Sequence, residues 1–311
     1  MPLAHRCVPF AAAVAVLLST ACDPAGDDET AEAATLPEGC NVLVEPSARA
    51  QTEIVEALVA IEDGQTLCLG AGRFSLRRQL TSLADDITIR GAGMTQTILD
   101  FSEQVSGANG VLIEGDRNVV EDLAITGTPG DGIRANDVDG IVFQRLDVGW
   151  DSDDPLANGA YAIYPVQSTD VIVRDCVAHG ARDAGIYLGQ STSSLLENNE
   201  AFGNVIGVEV ENSTDTLVVG NHAHDNTNGL LVITLPGLDI GDGKRANARG
   251  NVIENNNVPN FGDEGTVIGV LPRGIGVLLV ATDHNEVWDN DIRGNGTACD
   301  QLHGAILVGF K

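Results

Sequence analysis

Between residues 131 and 225 the chain concentrates side chains that can move protons or hold cations. They are Asp131, Arg134, the run Asp151-Ser152-Asp153-Asp154, Tyr164, His179, Arg182, Tyr187, Glu209 and the pair His222-x-His224. Abstracting a proton beside a carboxylate needs a base, an acid and a cation to neutralise the developing charge. Tyr164, Tyr187, His179 and Arg182 offer those roles between them and form the candidate catalytic set. Asp151, Asp153 and Asp154 supply the oxygen donors that Ca²⁺ prefers, and calcium is the cofactor they suggest. His222 and His224 are alternate residues, so in a strand they share a face and present two imidazoles to a metal ion. Two ligands alone are too few for tight binding. The competing reading is bland: acids and asparagines at turns are solvated, and the tyrosines fill a surface column.

Positioning these residues falls to a repeat. Gly185, Gly207 and Gly229 each open an alternating apolar segment and lie 22 residues apart; Gly110 and Gly132 share that spacing, and Ala162 precedes Gly185 by 23. Gly276 and Gly304 open later copies after 47 and 28 residues. In a second register Asn199 and Asn221, and Asn204 and Asn226, are 22 apart, with looser copies at Asn251–Asn256 and Asn290–Asn295. A period of this size with short alternating strands predicts an all-β fold, a right-handed parallel β-helix of about nine to ten coils. One coil cannot bury its apolar side alone, whereas coils stacked at ~4.8 Å share a continuous core. Alternation sends Ile133, Ile163, Ile186, Val208, Leu230 and Val277 inward. It sends Leu112, Arg134, Tyr164, Tyr187, Glu209, Leu231, Leu278 and Ile306 outward. The middle of that outward column is polar and aromatic, which makes Arg134, Glu209 and nearby Asp131 candidates for holding a sugar chain. Turn asparagines can stack, each amide bonding the coils above and below.

Composition agrees and excludes some partners. The 311 residues hold 17 basic and 45 acidic groups, a formal charge of −28, which repels nucleic acid. The same charge disfavours anionic lipid or polysaccharide unless a local basic site or a divalent cation intervenes. Residues 1–21 run from His5 and Arg6 through an apolar stretch to Ser19-Thr20-Ala21, the pattern of a secretory signal peptide. Leu18-Ser-Thr-Ala-Cys22 resembles a bacterial lipobox, with Ser19 where an aliphatic residue is usual; a lipid on Cys22 is then the expected membrane contact. Residues 22–39 read as an acidic linker and 40–311 as the β-helix domain. The product is expected outside the cytoplasm, lipid-anchored or free. Cys40 and Cys68, near the start of the folded part, suit a disulfide, while Cys176 and Cys299 fall in different repeats and are not expected to pair.

Ile54, Leu58 and Ile61 share one face of a helix predicted over 47–61, with Ser47 as N-cap and Gly64 as stop. Thr66-Leu-Cys-Leu-Gly-Ala-Gly and Ile87-Thr-Ile-Arg-Gly-Ala-Gly-Met follow. With these elements the chain resembles the pectin-lyase-like β-helix superfamily, whose members often open with a capping helix. More narrowly it resembles bacterial parallel-β-helix-repeat lipoproteins related to the accessory protein of nitrous-oxide-reductase copper maturation. Tyr164-Pro-Val-Gln-Ser-Thr-Asp, Asp183-Ala-Gly-Ile-Tyr-Leu-Gly-Gln-Ser and Gly220-Asn-His-Ala-His-Asp-Asn-Thr carry the narrower likeness, which spans residues 50 to 311. The resemblance implies a polysaccharide laid lengthwise along an outer strand face. Polygalacturonase-type hydrolases order Asp, Asp-Asp and Gly-His-Gly much as Asp131, Asp153/Asp154 and Ala178-His179-Gly180 do here, but those residues fall out of coil register and the later Arg-Ile-Lys element is missing. The Asp-Pro-His motif of mannuronan epimerases is absent too. The functional expectation is an extracytoplasmic polysaccharide-interacting protein, a uronan lyase or epimerase rather than a hydrolase. The alternative is a non-catalytic envelope scaffold or accessory protein, with an envelope protein as partner and a role in metal maturation among its forms.

Three structural expectations follow. Arg134, Tyr164, His179, Arg182 and Tyr187 should line one cleft. Part of residues 234–275 should cover the apolar outward positions Leu231, Ile233, Leu278, Val280, Ile306 and Val308. Residues 304–311 begin a coil that the sequence does not finish, so the chain is expected either to continue or to close that end against another molecule.

Overall fold

A computed structural model describes residues 36–238, 244–296 and 304–309. Its repeating element is a corner made by two residues, the first left-handed and the second buried. Asn198, Gly220, Gly250 and Asp289 have φ between 53° and 67°, and the asparagine after each of them turns inward. There Asn199 donates to the Asn221 side-chain oxygen (2.9 Å), Asn221 to Asn251 (3.0 Å) and Asn251 to Asn290 (2.8 Å). A parallel ladder joins Asn204, Asn226, Asn256 and Asn295 at 2.9–3.0 Å. The third corner uses serine: the backbone N–H of Ser168 donates to the Ser191 hydroxyl (3.1 Å), and that of Ser191 to Ser213 (3.0 Å). Gln167, Gln190 and Asn212 supply the left-handed residue before each serine.

Three corners leave three strands per coil. In one complete coil these are Ala184–Gly189, Thr192–Glu197 and Glu200–Phe202, and the next begins at Ile206–Glu211. The first strand of each coil joins a nine-stranded parallel sheet, here the first face. The others form a 17-stranded sheet that bends round a corner and supplies the second and third faces. This is the right-handed parallel β-helix that the period predicts, and the nine first-face strands count its coils among the described residues. Pairing puts Ile133, Ile163, Ile186, Val208, Leu230 and Val277 in one register column, all at most 2% exposed.

The stack is closed at its start by the helix Ala50–Ala60, which buries Ile54 and Leu58. The helix begins later than Ser47, whose hydroxyl accepts the Arg49 N–H (3.1 Å) in the preceding turn instead of capping the helix. Cys40 and Cys68 are bridged, with Cα atoms 5.7 Å apart, and Cys176 is free and buried. Residues 1–21, expected to be a signal peptide, and Cys22 and Cys299 lie outside the described residues.

Of the apolar outward positions of the late coils, Leu231, Ile233 and Leu278 are covered as expected and Val280 partly, whereas Ile306 and Val308 are not. Leu231, Ile233, Ile275 and Leu278 form a second cluster with Ile268 and, at its edge, Leu235, Phe261, Leu271 and Val280. The insertion at residues 255–274, with its short 3₁₀ turn Ile268–Val270, supplies the lid. The last strand departs from expectation in register. Ile306 pairs with Val277 of the inward column, not with Leu278, so the glycine alignment is one residue off there. Ile306 and Val308 are exposed.

A ladder amide makes four side-chain bonds. Asn226 accepts from the Asn204 backbone and side chain and donates to Ala201 O and Asn256. Asn226→Ala should therefore cost roughly 2–4 kcal/mol by orphaning buried partners. Asn295→Ala, at the partly exposed end of the ladder, should cost less than half of that. Urea unfolding midpoints at unchanged slope measure both.

Candidate functional site

From Val177 onward the third-face strands are three residues long, so only their middle residue can point inward. Ala178, Ala201, Ala223 and Ile253 are buried, and the flanking pairs Val177/His179, Glu200/Phe202, His222/His224 and Val252/Glu254 point out. Register stacks His179, Phe202, His224 and Glu254 into one outward column, which runs back through Gly149, Thr126 and Asp100.

Gly149 makes room for the ring beside it. A Cβ at that position would lie 2.7 Å from Cγ and Cδ2 of His179, so the imidazole rests directly across the glycine. On its other side the ring stacks on Phe202 (5.3 Å, 9°), which stacks in turn on His224 (5.5 Å, 16°). Asp147 Oδ1 stands 3.2 Å from Nε2 of His179, and Asp151 Oδ1 stands 3.8 Å from Nδ1. Burial opposes charge on this imidazole, but the two carboxylates outweigh it and hold its pKa above the usual histidine value. His179, Asp147 and Asp151 form one end of a groove of about 370 Å³ that runs past Thr126 and Ile98 to Arg73. Arg73 is itself paired with Asp100 (2.7 Å).

The first face is different in kind. Tyr161, Tyr164 and Tyr187 touch one another with centroids 4.5–4.9 Å apart, and Arg134 lies 4.7 Å over the Tyr164 ring. Tyr187 donates to Glu211 (2.8 Å) and Tyr161 to Asp183 (3.4 Å). This outward column is covered: Tyr187 is 5% exposed and Glu209 1%, and the tyrosines belong to the cluster that includes Phe261 and Ile268. Burial drives the acids toward their neutral forms. The pKa of Asp131 rises to about 6 despite Arg134, and that of Asp183 to about 7. Glu209 rises well above the carboxylate range through burial, with Asp183 and Glu211 adding repulsion. The expected sugar-binding residues Arg134, Glu209 and Asp131 thus stand on the same face as Tyr164 and Tyr187, with Glu209 and Tyr187 buried and Arg134, Asp131 and Tyr164 half-buried.

The expected catalytic set is consequently divided. His179 is on the third face; Tyr164 and Tyr187 are on the first; Arg182 sits at the corner between them, near Leu156, Asn260 and Glu264. A corner separates residues that are eight apart in sequence, so the single cleft does not form. The three aspartates of the calcium expectation are not brought together either. Asp154 caps the short turn Pro155–Ala157 by accepting the Leu156 N–H (3.1 Å), and Asp151 stands beside His179 with Asp153 exposed. Among the described residues, the group whose ligand atoms converge is Glu200, His222 and His224 instead. Sequence reasoning missed Asp147, Gly149, Phe202 and Glu200, although each lies 22–32 residues from its histidine partner, as adjacent coils require.

Residues 109–305 match the family model described as the right handed beta helix region. No curated protein matches the chain. Among solved structures, the A-module of the Azotobacter vinelandii mannuronan C-5 epimerase AlgE4 is similar with a TM-score of 0.63 at 21% identity, over 87% of this chain and 71% of that one. The AlgE6 A-module of the same organism gives 0.64 at 22%, over 85% and 69%. An alginate lyase from Paenibacillus sp. str. FPU-7 gives 0.51 at 16%, over 81% and 96%. At such identities the likeness is one of fold.

Two titrations test the electrostatics. Asp147→Asn should move the NMR titration midpoint of His179 downward, because the carboxylate that outweighs burial is gone. On the first face the folded state holds protons that the unfolded chain releases near pH 4. Its stabilising effect is therefore complete below that pH and lost as pH rises toward about 6 at Asp131 and about 7 at Asp183. Glu209→Gln should raise stability at pH 8 by on the order of 1–3 kcal/mol and change it little at pH 4. Thermal melts at the two pH values decide this.

Proposed function

On the premise that this chain belongs to the right-handed β-helix family, we propose that it is an exported glycan-binding protein that lays an extended polysaccharide along the third-face groove. The observation that carries the proposal is His179, seated over Gly149, faced by Asp147 and stacked on Phe202 at the end of an open groove. A stacking ring beside a proton-transfer pair on a strand face suits a sugar chain running across coils. The structurally similar epimerase modules and alginate lyase are named for work on polyuronates, which makes uronans the first substrates to try.

In the enzymatic form of this reading, a lyase or C5-epimerase, His179 takes the proton beside the uronate carboxylate. Asp147 orients the ring and stabilises its charged form, and Arg73, at the far end of the groove and paired with Asp100, is placed to meet a carboxylate on a more distant unit of the sugar chain. Tyr164 and Tyr187 take no part, standing on the first face. The accessory reading, a non-catalytic envelope partner, is favoured by one observation: His179 stands on a different face from Tyr164 and Tyr187, away from the rest of the expected set. Export is supported by the secretory pattern of residues 1–21 and by the Cys40–Cys68 bridge, which suits an oxidising compartment. Anchoring through Cys22, and the narrower kinship with β-helix lipoproteins, belong to the same proposal.

The test is a panel of polyuronates and neutral glycans, with and without Ca²⁺, assayed for binding by affinity electrophoresis. Elimination is followed by ultraviolet absorbance of unsaturated ends, and epimerisation by proton NMR. Binding of at least one polyuronate is expected, with His179→Ala lowering any turnover by about 10²–10⁴-fold while binding persists. Binding without product selects the accessory form, and absence of binding to every glycan overturns the proposal.

A further inference from the structure

One and two coils beyond His179 the same outer face carries a group that the glycan reading does not use. Glu200 and His222 are register partners on adjacent coils, and His224 completes the trio. Their ligand atoms all lie within 4.8 Å of one another, with Glu200 Oε1 3.0 Å from His224 Nε2. The two imidazoles are 4.2 Å apart at 33°, neighbours on one strand with Ala223 pointing inward between them. We propose that Glu200, His222 and His224 bind a divalent transition-metal ion of the zinc, cobalt or nickel type.

The donor set selects the metal class. Two neutral imidazoles with one carboxylate match borderline ions, whereas Ca²⁺ and Mg²⁺ prefer oxygen alone. Donors on one tetrahedral ion stand about 3.4 Å apart at bond lengths near 2.1 Å, so small side-chain rotations close the site. The surroundings are those of a supported site. Asp225 Oδ2 is 2.8 Å from His224 Nδ1, which fixes the tautomer that keeps Nε2 available on the side of Glu200. Glu254 Oε1 is 3.1 Å from His222 Nε2, and Arg293 holds the other Glu254 oxygen at 2.8 Å, which restrains that ring from one side. Phe202 stacks on one face of His224 and restricts its rotation. Three protein ligands leave a coordination position open toward solvent, and a chain of charge −28 raises the local concentration of cations.

Zn²⁺ titrated into the chelator-treated full chain, followed by isothermal calorimetry, tests this without any glycan. One site tighter than about 100 μM is expected. His224→Ala and His222→Ala should each weaken it at least about tenfold, and Glu200→Gln should weaken it as well. His284→Ala, at an exposed histidine elsewhere, should leave it unchanged. Co²⁺ loaded in place of Zn²⁺ should give the visible absorption of a tetrahedral site in the wild type and not in the double variant. Circular dichroism and the unfolding midpoint of the variants report whether the fold is kept. Absence of a site, or a site that survives in the folded H222A/H224A variant, overturns the proposal. Either result leaves the glycan reading to its own assay.

Discussion

Every coil of this molecule must turn a corner in its interior, and a buried backbone N–H at a corner has no strand to bond. The stacked asparagines answer that constraint. Each side-chain oxygen accepts the backbone and side-chain donors of the coil before it, and each amide nitrogen donates onward and to a nearby carbonyl. Serine repeats the device more simply at the third corner, taking the N–H of the preceding coil and donating to a carbonyl two residues back. Because each bond spans one coil, the ladders fix the register between neighbours. The columns of outward side chains inherit that register, so the placement of His179 over Gly149 is a consequence of how the corners are hydrogen-bonded.

Much of this architecture is legible in the amino acids alone. The two-residue corner can be read as Gly, Asn or Asp followed by Asn, and the 22-residue spacing then assigns the inward column residue by residue. The lid over the late coils is legible because strands apolar on both sides need cover on both sides. What the period does not convey is which face a residue occupies near a corner. His179 and Tyr187 are close in sequence, yet the left-handed Gly180 stands between two faces of the prism. The reach of the lid is equally hidden. It extends from Leu231 and Leu278 back over Glu209 and Tyr187, turning an outward polar column into a second core. Spacing also says nothing about convergence, which is why three neighbouring aspartates do not make a cation site and Glu200, a coil away from its histidines, does bring its oxygen to them.

The two faces resolve the charge of the chain in opposite ways. On the first, acids are held near tyrosine hydroxyls in a covered cluster where burial favours their protonated forms. On the third, acids stand beside His179 and His224, and although burial opposes charge on those rings the neighbouring carboxylates hold both above the usual histidine value. Gly189 marks how closely the first face is packed: a Cβ there would lie 2.3 Å from the Tyr187 ring.

The coil from Asn251 to Asn290 has a wider consequence. It is 39 residues long where the coil before it has 30 and the one before that 22, yet the amide bond across it is as short as any other in the ladder. Surplus chain is expelled at a corner and the stack does not register it. A gene that duplicated or lost one whole coil would likewise present each amide with an equivalent neighbour. The groove could then lengthen or shorten in quanta of ~4.8 Å, one strand spacing at a time. A change by a fraction of a coil has no such freedom, since it would break all three ladders at once. Evolution of this architecture is thus digital along its axis and continuous only in its loops.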